Sequence, residues 1–444
     1  NKEKKAVSVK HHEVVSEISY DKLLVSTGAF PIVPPGMSLS SEGIFTLRDV
    51  SDTDKIKAFL GNRSVRNATI VGAGFIGLEL AEQLAHLGIE VTVLEASPQI
   101  LAPLDQEMAR IAENEMLSKG ISIVKSTFAT SVTTKDLQHT LLLSNGKELV
   151  SDLVILGIGV RPEVSLAADC GLELGGSGGI KVDSTMRTSD PDIFAIGDCA
   201  EIQNFITGKQ TRLPLAGPAN RQARIAAESM LGLPAAYKGA QGTAVLRLFD
   251  LGIACTGLNA KAASALGINY GEVHLHPSSH ASYFPGSSRL SLKLVWDKDT
   301  NQILGAQAVG KVGADKRIDV VATAIRGKLT VQDLVDLELC YAPPYGSAKD
   351  PVNLAGMVAS NIQNGSLKTI TADKDFSGYF ILDVRNQDEV DRGAVAGSTH
   401  IPLNRIRKNL HLIPKDKPIL AYCQSGQRSY FASRILSQLG YEVT

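Results

Sequence analysis

Three glycines with Gly-x-Gly-x-x-Gly spacing lie where a predicted strand meets a predicted helix. They are Gly72, Gly74 and Gly77, within the segment ATIVGAGFIGLELAEQLAHLGIEVTVLE. Gly72 permits a tight turn, Gly74 lets the backbone approach a pyrophosphate, and Gly77 lets the helix pack on the strand. The N–H groups and positive dipole end of that helix would then bind phosphate. The pattern predicts a dinucleotide-binding βαβ unit rather than a glycine-rich turn of another α/β protein.

Two acids accompany this turn. Glu95 ends the second strand of the unit, where a carboxylate can accept hydrogen bonds from an adenosine ribose and would repel a 2′-phosphate. We therefore predict NADH in preference to NADPH. Glu79 follows Gly77 on the first part of the helix, and two interpretations of it stay open. It either faces the nicotinamide or is an acid favoured by the helix dipole.

A cysteine near the end of the chain has surroundings suited to nucleophilic sulfur chemistry. Cys423 stands on a turn between a predicted buried strand and a helix, in ILAYCQSGQRSYFASRIL, and Arg428 follows five residues later. Backbone N–H groups and a guanidinium both stabilise a thiolate and lower its pKa. The pattern predicts that Cys423 carries sulfane sulfur as a persulfide; a buried, inert cysteine is the alternative.

The other four cysteines form no pattern. Cys170, Cys199, Cys255 and Cys340 are scattered, without a CxxC pair or a cysteine–histidine cluster. We therefore predict no metal site and no disulfide framework, and interpret these four as ordinary core residues. A reducing, cytoplasmic location is the natural interpretation of this usage.

Length and composition limit the classes of protein to consider. The chain has 444 residues, which suggests about three domains. It is 44% hydrophobic and 20% charged with a net charge of −1, so neither nucleic acid nor an anionic membrane is expected as its main partner. No stretch of about 18 apolar residues occurs, and residues 1–5 do not begin a signal peptide. We expect a soluble protein.

Strands and helices must position these residues. We predict strands in residues 6–25, a proline-rich crossing at 31–36, and a helix at 219–232. The segments ISIV, LLLSNG and DLVILG are predicted to be antiparallel strands that cap a parallel sheet. Residues 240–350 mix strands with a helix through RIDVVATAIRG, which indicates an α+β domain.

Asp198 directly follows a strand-ending glycine, Gly197. An acid there can accept hydrogen bonds from polyol hydroxyls at the carboxyl edge of a sheet, although alone it is typical of a turn. When Asp198 is considered together with Thr27-Gly28 and Gly159, the indication of a cofactor site becomes more specific. The set STGAFPIVPPG, VGAGFIGLELAEQL, GIGVRPE and TSDPDIFAIGDCAE resembles the flavoprotein pyridine nucleotide–disulfide oxidoreductases over about residues 1–350. The resemblance implies an NAD domain inserted within an FAD domain, with these turn residues at the FAD.

Three further segments resemble one branch of that family. HASYFPG, AVGKVGADKRIDV and CYAPPYGSAKDPVN are similar to the dimerisation domain of coenzyme A–disulfide reductases and NADH-dependent persulfide reductases. The resemblance implies a homodimer in which Tyr283 and Tyr341 reach the partner's active site. It also places Asn220 and Lys349 near coenzyme A, where a lysine suits a phosphate. Amphipathic packing at an interface is the alternative for the tyrosines.

The last segment resembles a rhodanese domain. The similarity rests on FILDVR, GSTHIPL and ILAYCQSGQRSYFASRIL, and the six-residue loop CQSGQR matches sulfurtransferases rather than the related phosphatases. The sequence departs from the family at residues 393–397, where GAVAG replaces the usual Gly-His. We expect this change to affect the stability of the fold rather than the chemistry of the loop.

The combined resemblances imply an α/β protein with two nested Rossmann-like dinucleotide-binding domains, for FAD and NAD, an α+β dimerisation domain and a C-terminal α/β rhodanese domain. The family's own FAD-binding GxGxxG and its redox cysteine in an SF-x-x-C motif do not occur in the sequence. We therefore expect truncation at both ends, with an incomplete rhodanese domain. The expected boundaries are FAD domain 1–44 and 152–235, NAD domain 45–151, dimerisation domain 236–352, linker 353–367 and rhodanese domain 368–444.

The implied activity is reduction of coenzyme A disulfide, or of persulfides and polysulfides of coenzyme A and small thiols. Electrons would pass from NADH through FAD to the redox cysteine, and Cys423 would deliver sulfane sulfur. Disulfide and persulfide remain open as the substrate. One alternative is an NADH oxidase or peroxidase on the same scaffold. Another is a non-catalytic redox sensor or sulfur carrier.

Overall fold

The computed structural model describes residues 1–371 and 374–444. Residues 372 and 373, within the predicted rhodanese domain, lie outside the described residues. The chain forms two compact units, Asn1–Phe249 and Asp250–Thr444. None of the helices in the described ranges is long and apolar enough to cross a membrane.

The first unit contains one five-stranded parallel sheet and several smaller sheets, with helices between some of the strands. Its strands are β1 (Ala6–His11), β2 (Val14–Ser19), β3 (Leu23–Val25), β4 (Ala29–Pro31), β5 (Ile44–Thr46), β6 (Asn67–Val71), β7 (Glu90–Leu94), β8 (Ser122–Val124), β9 (Ala129–Lys135), β10 (Gln138–Leu143), β11 (Glu148–Ser151), β12 (Leu153–Leu156), β13 (Val160–Pro162), β14 (Ile180–Lys181), β15 (Ile193–Ala195), β16 (Ala200–Gln203), β17 (Gln210–Thr211) and β18 (Ala244–Leu248). Its helices are α1 (Val50–Asn62), α2 (Phe75–His86), α3 (Gln106–Ser118), α4 (Ser165–Asp169) and α5 (Ala216–Met230).

The parallel sheet has the strand order β5-β12-β6-β7-β8. β12 is a continuous apolar run, and all residues of β6 after Asn67 are buried, as expected for parallel strands covered on both faces. Helix α2 begins directly after Gly74 and packs on β6 and β7 through Leu78, Ala81 and Leu84. The predicted strand–turn–helix–strand unit is therefore present.

Two of the three segments predicted as antiparallel strands are parallel members of this sheet. β8, from ISIV, pairs with β7, and β12, from DLVILG, pairs with β5 and β6. Only β10, from LLLSNG, is antiparallel, between β9 and β11. All four residues of β12 are buried, so this run needs cover on both faces, whereas β10 carries exposed positions. The sheet also extends beyond the predicted boundaries at 44 and 152, through β5 and β12.

Two small pairings bring loops of the first unit together. β13 pairs antiparallel with β4, and β15 pairs parallel with β3. The turns that contain Thr27, Gly159 and Gly197 are thereby joined through backbone pairing. Helix α5 begins at Ala216, three residues earlier than the predicted helix at 219–232.

The second unit contains an antiparallel sheet and a smaller parallel sheet. Its strands are β19 (Leu251–Gly257), β20 (Tyr270–Leu275), β21 (Leu290–Asp297), β22 (Ile303–Gly310), β23 (Phe380–Asp383), β24 (Thr399–His400) and β25 (Ile419–Tyr422). Its helices are α6 (Ala260–Ala265), α7 (Ala314–Arg326), α8 (Val331–Asp336), α9 (Pro351–Gln363), α10 (Gln387–Val390) and α11 (Gln427–Gln438). Strands β19, β22, β21 and β20 are antiparallel neighbours, and β24, β23 and β25 are parallel neighbours.

Most of the predicted linker 353–367 is a helix. Asp350 caps α9 by accepting the Val352 N–H at 3.0 Å, and Pro351 occupies the first turn, where its missing N–H costs nothing. Val352 and Ala355 are buried on one face of this helix. The segment between the two predicted domains is therefore largely helical, and the linker boundaries themselves stay a prediction.

The C-terminal sheet has its own hydrophobic core. Leu382, Ile401 and Ile419 are buried with apolar residues of α11. Within the second unit, the Asn361 side-chain amide on α9 donates to the Tyr430 hydroxyl on α11 at 3.2 Å. This contact links the last turn of α9 to the helix that follows Cys423.

Candidate functional site

The three glycines of the first turn have the three different geometries that their proposed roles require. Gly72 has φ +109°, and a Cβ there would lie 2.4 Å from the Gly157 carbonyl oxygen. A Cβ on Gly77 would lie 2.2 Å from the Gly72 carbonyl oxygen. At Gly74 a Cβ would have no atom within 4 Å. The turn is tightly packed at its ends and open at its centre, where a pyrophosphate would approach.

Glu95 is fixed against this turn. One carboxylate oxygen accepts the Ala73 N–H at 2.8 Å, and the other accepts the Ser97 N–H at 2.8 Å. A carboxylate oxygen has two lone pairs, so each retains the capacity to accept a ribose hydroxyl. The residues present therefore fit a nicotinamide adenine dinucleotide.

Glu79 lines a polar cavity on α2. The cavity has a volume of about 400 Å³ and is lined by Glu79, Glu82, Gln83, His86 and Arg247. Burial, with a contribution from the Glu82 charge, raises the pKa of Glu79.

The proposed flavin-binding turns form an open polar edge. The Thr27 hydroxyl donates to the Glu163 carbonyl at 2.6 Å, and the Ile32 N–H donates to the Gly159 carbonyl at 3.0 Å. At Gly28 and Gly197 the backbone has positive φ, and the nearest atom to an added Cβ would lie 3.8 Å and 3.9 Å away. This edge leaves room for a ligand that contacts the backbone, as FAD would.

Two residues at this edge were missed by the sequence analysis. Arg48 donates to the Asp198 carboxylate at 2.7 Å, and the buried Gln222 accepts the Gly197 N–H at 2.7 Å. Arg48 therefore neutralises Asp198, while Gln222 fixes the turn that presents it. The only sequence signal for Gln222 was a polar residue within the apolar stripe of α5.

Tyr283 and Tyr341 lie together in the second unit. The neighbouring Tyr341 side chain raises the pKa of Tyr283. The two side chains are 75% and 51% exposed, so they do not belong to the core. The Ala281 N–H donates to the Gly346 carbonyl at 2.9 Å, which ties the loops that carry the two tyrosines.

A buried ion pair supports both tyrosine loops. Arg317 binds Asp350 with 2.9 Å between Nη2 and Oδ2, and the same nitrogen donates to the Ser279 carbonyl at 2.8 Å. Both partners are buried, so removing either one would leave an unpaired charge in the interior. Neither residue was identified from the sequence.

The two residues assigned to coenzyme A are exposed. Asn220 lies on α5 in the first unit, and Lys349 lies just before α9 in the second. The structure of each unit by itself does not bring them together.

Cys423 lies at the end of β25, where the backbone turns into α11. Its Sγ accepts the Gly426 N–H at 3.2 Å and the Ser429 N–H at 3.5 Å, and lies 3.7 Å from the Ser429 hydroxyl oxygen. Burial raises the pKa of Cys423, but the N–H groups of Ser429, Ser425 and Gly426 and the Ser429 hydroxyl outweigh it, and the pKa lies below the usual thiol value. The turn stabilises a thiolate.

Arg428 has a different main partner from the one expected. Its two terminal nitrogens bind both carboxylate oxygens of Glu389, at 2.5 Å and 2.6 Å. This contact lowers the pKa of Glu389 to about 2, and Cys423 is a lesser partner of the guanidinium. The thiolate is therefore stabilised mainly by backbone N–H groups. Glu389 was missed because it precedes Arg428 by 39 residues.

A second ion pair supports the loop from β23. The buried Asp383 accepts hydrogen bonds from Arg385 and, at 2.6 Å, from the Tyr422 hydroxyl. The same hydroxyl accepts the Val395 N–H at 3.1 Å, and Arg385 donates to the Gly393 carbonyl at 2.8 Å. The atypical segment 393–397 is therefore anchored beside the residue that precedes Cys423.

The remaining cysteines differ in burial. Cys199 and Cys255 are buried, whereas Cys340 is exposed, so its interpretation as a core residue was wrong. It directly precedes the exposed Tyr341 in a segment without regular structure.

Three protein-family models match the chain. Pyridine nucleotide-disulphide oxidoreductase matches residues 1–223, the dimerisation domain of the same family matches 243–351, and the rhodanese-like domain matches 364–444.

Two curated relatives are similar over most of the chain. A coenzyme A disulfide reductase from Staphylococcus haemolyticus is 33% identical, covering 81% of this chain and 85% of its own. An NADH oxidase from Methanocaldococcus jannaschii is 34% identical, covering 76% and 75%.

Solved structures are similar over the whole chain. The reduced Bacillus anthracis CoADR-RHD has a TM-score of 0.97 and 44% identity, covering 100% of this chain and 81% of that one. A NAD-dependent persulfide reductase from A. fulgidus has a TM-score of 0.95 and 38% identity, covering 100% and 82%. With the dinucleotide turn, the polar edge at Asp198 and these matches, the chain belongs to the pyridine nucleotide–disulfide oxidoreductases, followed by a rhodanese-like domain.

Proposed function

We propose that this protein is an NADH-dependent FAD enzyme that reduces coenzyme A disulfide, or persulfides and polysulfides of coenzyme A and small thiols. The observation that carries the proposal is the occurrence, on one chain, of an open dinucleotide turn and a turn that stabilises the Cys423 thiolate. The first suits a reductase, and the second suits a sulfur acceptor. Relatives with full-length structural similarity include a persulfide reductase and a CoADR-RHD.

The first turn would hold NADH. The N–H groups at the start of α2 would bind the pyrophosphate, with Gly74 leaving the space, and Glu95 would accept the adenosine ribose hydroxyls. A 2′-phosphate would meet the Glu95 charge, so NADPH should bind more weakly. Glu79 is proposed to face the nicotinamide side.

The edge formed by Thr27, Gly28, Gly159, Gly197 and Asp198 would hold FAD. When bound, FAD would supply the acceptor for the hydride of NADH and the electrons for reduction of the substrate. Asp198 would accept a ribityl hydroxyl, and Gln222 holds the Gly197 turn in place for that contact.

The second unit would contribute to substrate binding across a homodimer. Tyr283 and Tyr341, which are exposed and lie close enough for Tyr341 to raise the pKa of Tyr283, are proposed to reach the partner's active site. Asn220 and Lys349 are proposed to contact coenzyme A. We propose the predicted domain boundaries, with β5 and β12 added to the NAD domain because they belong to its sheet, and with a helix, α9, in the linker. We also propose a cytoplasmic location.

Cys423 would accept sulfur by nucleophilic attack. Its thiolate attacks the outer sulfur of a persulfide, R–S–SH, so that a new S–S bond forms as the old one breaks. The products are the Cys423 persulfide and the thiolate R–S⁻. The N–H groups of Gly426 and Ser429 hold the attacking sulfur and stabilise its charge.

Anaerobic oxidation of NADH by the FAD-loaded full chain tests the function. We expect oxidation on addition of coenzyme A disulfide or coenzyme A persulfide, with NADPH at least several-fold less effective. The M. jannaschii relative makes an NADH oxidase the second candidate. NADH oxidation with oxygen, but with neither coenzyme A compound, would contradict the proposal and favour that candidate. If NADH never reduces the bound flavin, the protein is a non-catalytic carrier.

A further inference from the structure

The charges around Cys423 are paired. Arg428 is bound through both terminal nitrogens to Glu389, and Arg385 is bound to the buried Asp383. The other residues of the loop CQSGQR carry no charge. When Cys423 is ionised, its thiolate therefore adds a negative charge near Arg428, whose own charge is already matched by Glu389.

Glu389 is held in its position by more than Arg428. Its carboxylate also accepts the Asn386 N–H at 3.1 Å, completing a capping box at the start of α10. The Glu389 side chain is 17% exposed and that of Arg428 is 27% exposed, so the pair is partly shielded from water. An incoming anion cannot use the two N–H groups that Glu389 occupies without displacing a carboxylate that binds them in a bidentate manner.

Sulfur donors differ in the charge that they bring to this site. A persulfide reacts as the uncharged R–S–SH, whereas thiosulfate carries two negative charges. Attack on thiosulfate forms the Cys423 S–S bond and breaks the bond to the sulfonate sulfur, releasing sulfite, so the whole reaction takes place among anions. A free arginine would favour this donor, and a neutralised one does not.

We infer that Glu389 selects the sulfur donor of Cys423: by neutralising Arg428, it favours uncharged persulfides and organic polysulfanes over doubly charged donors such as thiosulfate. The inference rests on the proposed sulfur-accepting role of Cys423 and names its substrate class. Glu389 acts here through Arg428 and is a specificity-determining residue, not a group that reacts with sulfur.

The variant Glu389→Gln tests this selection. Glutamine has the same size and keeps an acceptor oxygen for Asn386, but it leaves the Arg428 charge unmatched. The measurement is the rate of sulfur addition to Cys423 in the full chain, followed by intact mass after alkylation, with thiosulfate and with pantetheine persulfide. Using the ratio of the two rates cancels any common change in thiolate reactivity.

We expect Glu389→Gln to raise the thiosulfate rate relative to the persulfide rate by about tenfold at low salt, because a dianion gains an unmatched cation within several ångströms. High salt should reduce this gain. Asp388→Asn is the matched control, since Asp388 lies on the same short helix but pairs with the exposed Arg392 at 3.8 Å. This control should leave the ratio within about twofold.

An unchanged ratio in a folded Glu389→Gln protein, or an equal change in Asp388→Asn, would overturn the inference. If Glu389→Gln does not fold, the salt dependence of the wild-type protein tests the inference. Its rate with thiosulfate should rise with ionic strength, because salt screens the repulsion between the dianion and the thiolate, while its rate with persulfide stays constant. A thiosulfate rate that falls with salt would contradict a neutralised Arg428. If the wild type takes sulfur from neither donor, the proposed sulfur-accepting role of Cys423 fails, whereas the proposed reductase activity is tested separately by NADH oxidation.

Discussion

Two turns of this molecule share one design and use it differently. The turn at Gly72–Gly77 follows β6 and opens α2, and the turn at Cys423–Gly426 follows β25 and opens α11. Both place backbone N–H groups at the start of a helix, where negative charge is stabilised. At the first turn, the space beside Gly74 is open for an external anion. At the second turn, the N–H groups of Gly426 and Ser429 already donate to the Cys423 sulfur.

The difference shows how the same backbone geometry supports binding in one place and reactivity in another. In the first turn Gly74 has no side chain, which leaves the space open, and the neighbouring acid, Glu95, is fixed by the turn itself. In the second turn the side chain is the anion, and the neighbouring acid, Glu389, is bound to an arginine. At the second turn, loss of the Cys423 side chain should therefore abolish reactivity. At the first turn, gain of a side chain at a glycine should impair folding or nucleotide binding.

The largest expected effect is that of Cys423→Ala. The variant removes the sulfur that the N–H groups stabilise, so addition of sulfane sulfur to the chain should be abolished, as measured by intact mass. Cys340→Ala is the matched control. Cys340 is exposed, but within the described residues its sulfur accepts no backbone N–H groups like those that Gly426 and Ser429 donate to Cys423. Sulfur retained by Cys423→Ala and lost by Cys340→Ala would reverse the assignment. NADH affinity should be unchanged in both variants.

At the first turn, Gly77→Ala should destabilise the protein, and Gly74→Ala should not. The Gly77 Cβ would lie 2.2 Å from a backbone oxygen, and such overpacking costs about 1–3 kcal/mol. The Gly74 methyl meets no protein atom but fills the space proposed for the pyrophosphate, so it should weaken NADH binding about tenfold. Thermal unfolding and NADH titration separate the two effects. Equal melting temperatures for the two variants would disprove the contrast.

Glu95→Gln should have a smaller effect, confined to the choice of nucleotide. Without the charge, the repulsion of a 2′-phosphate is lost, while the amide oxygen can still accept one N–H or hydroxyl. The ratio of the NADPH to the NADH dissociation constants should fall by about tenfold, which corresponds to about 1.4 kcal/mol. Glu90→Gln, at the exposed start of the same strand, is the control. A preference that does not change would remove Glu95 from the ribose site.

The smallest expected effect is a shift in the pH dependence of Cys423. Burial opposes ionisation of this thiol, but the N–H groups and the Ser429 hydroxyl lower its pKa overall. The stabilisation of the fold by the thiolate is thus fully present above the unfolded thiol's pKa and is lost as pH falls through the lowered folded-state value. Ser429→Ala should move the midpoint of Cys423 alkylation to higher pH. A midpoint that stays constant or falls would show that the hydroxyl does not support the thiolate.

The sequence was sufficient where function depends on neighbouring residues. The spacing of Gly72, Gly74 and Gly77 predicted a strand, a turn and a helix that the structure contains. The position of Cys423 between strand and helix was likewise predicted from adjacent residues. Local patterns suffice here because each turn is built from consecutive backbone.

The sequence was insufficient where contacts join distant segments. The pairing of β12 with β5 and β6 joins residues about a hundred positions apart, and a short apolar run does not reveal whether its partners are parallel. The Glu389–Arg428 and Arg48–Asp198 pairs also join distant residues, 39 and 150 positions apart. Arg428 was therefore predicted to act on the nearby Cys423, although its main partner is Glu389, which is remote in sequence but adjacent in space.

The central claim is that sulfur accepted at the second turn is reduced with electrons taken at the first. A single-turnover experiment tests it directly: Cys423 is loaded with persulfide sulfur, excess donor is removed, and NADH with coenzyme A is added to the FAD-loaded protein without oxygen. We expect loss of the Cys423 persulfide with oxidation of about one NADH per sulfur atom. Persistence of the persulfide while NADH stays reduced, in protein whose flavin NADH can reduce, would contradict the account.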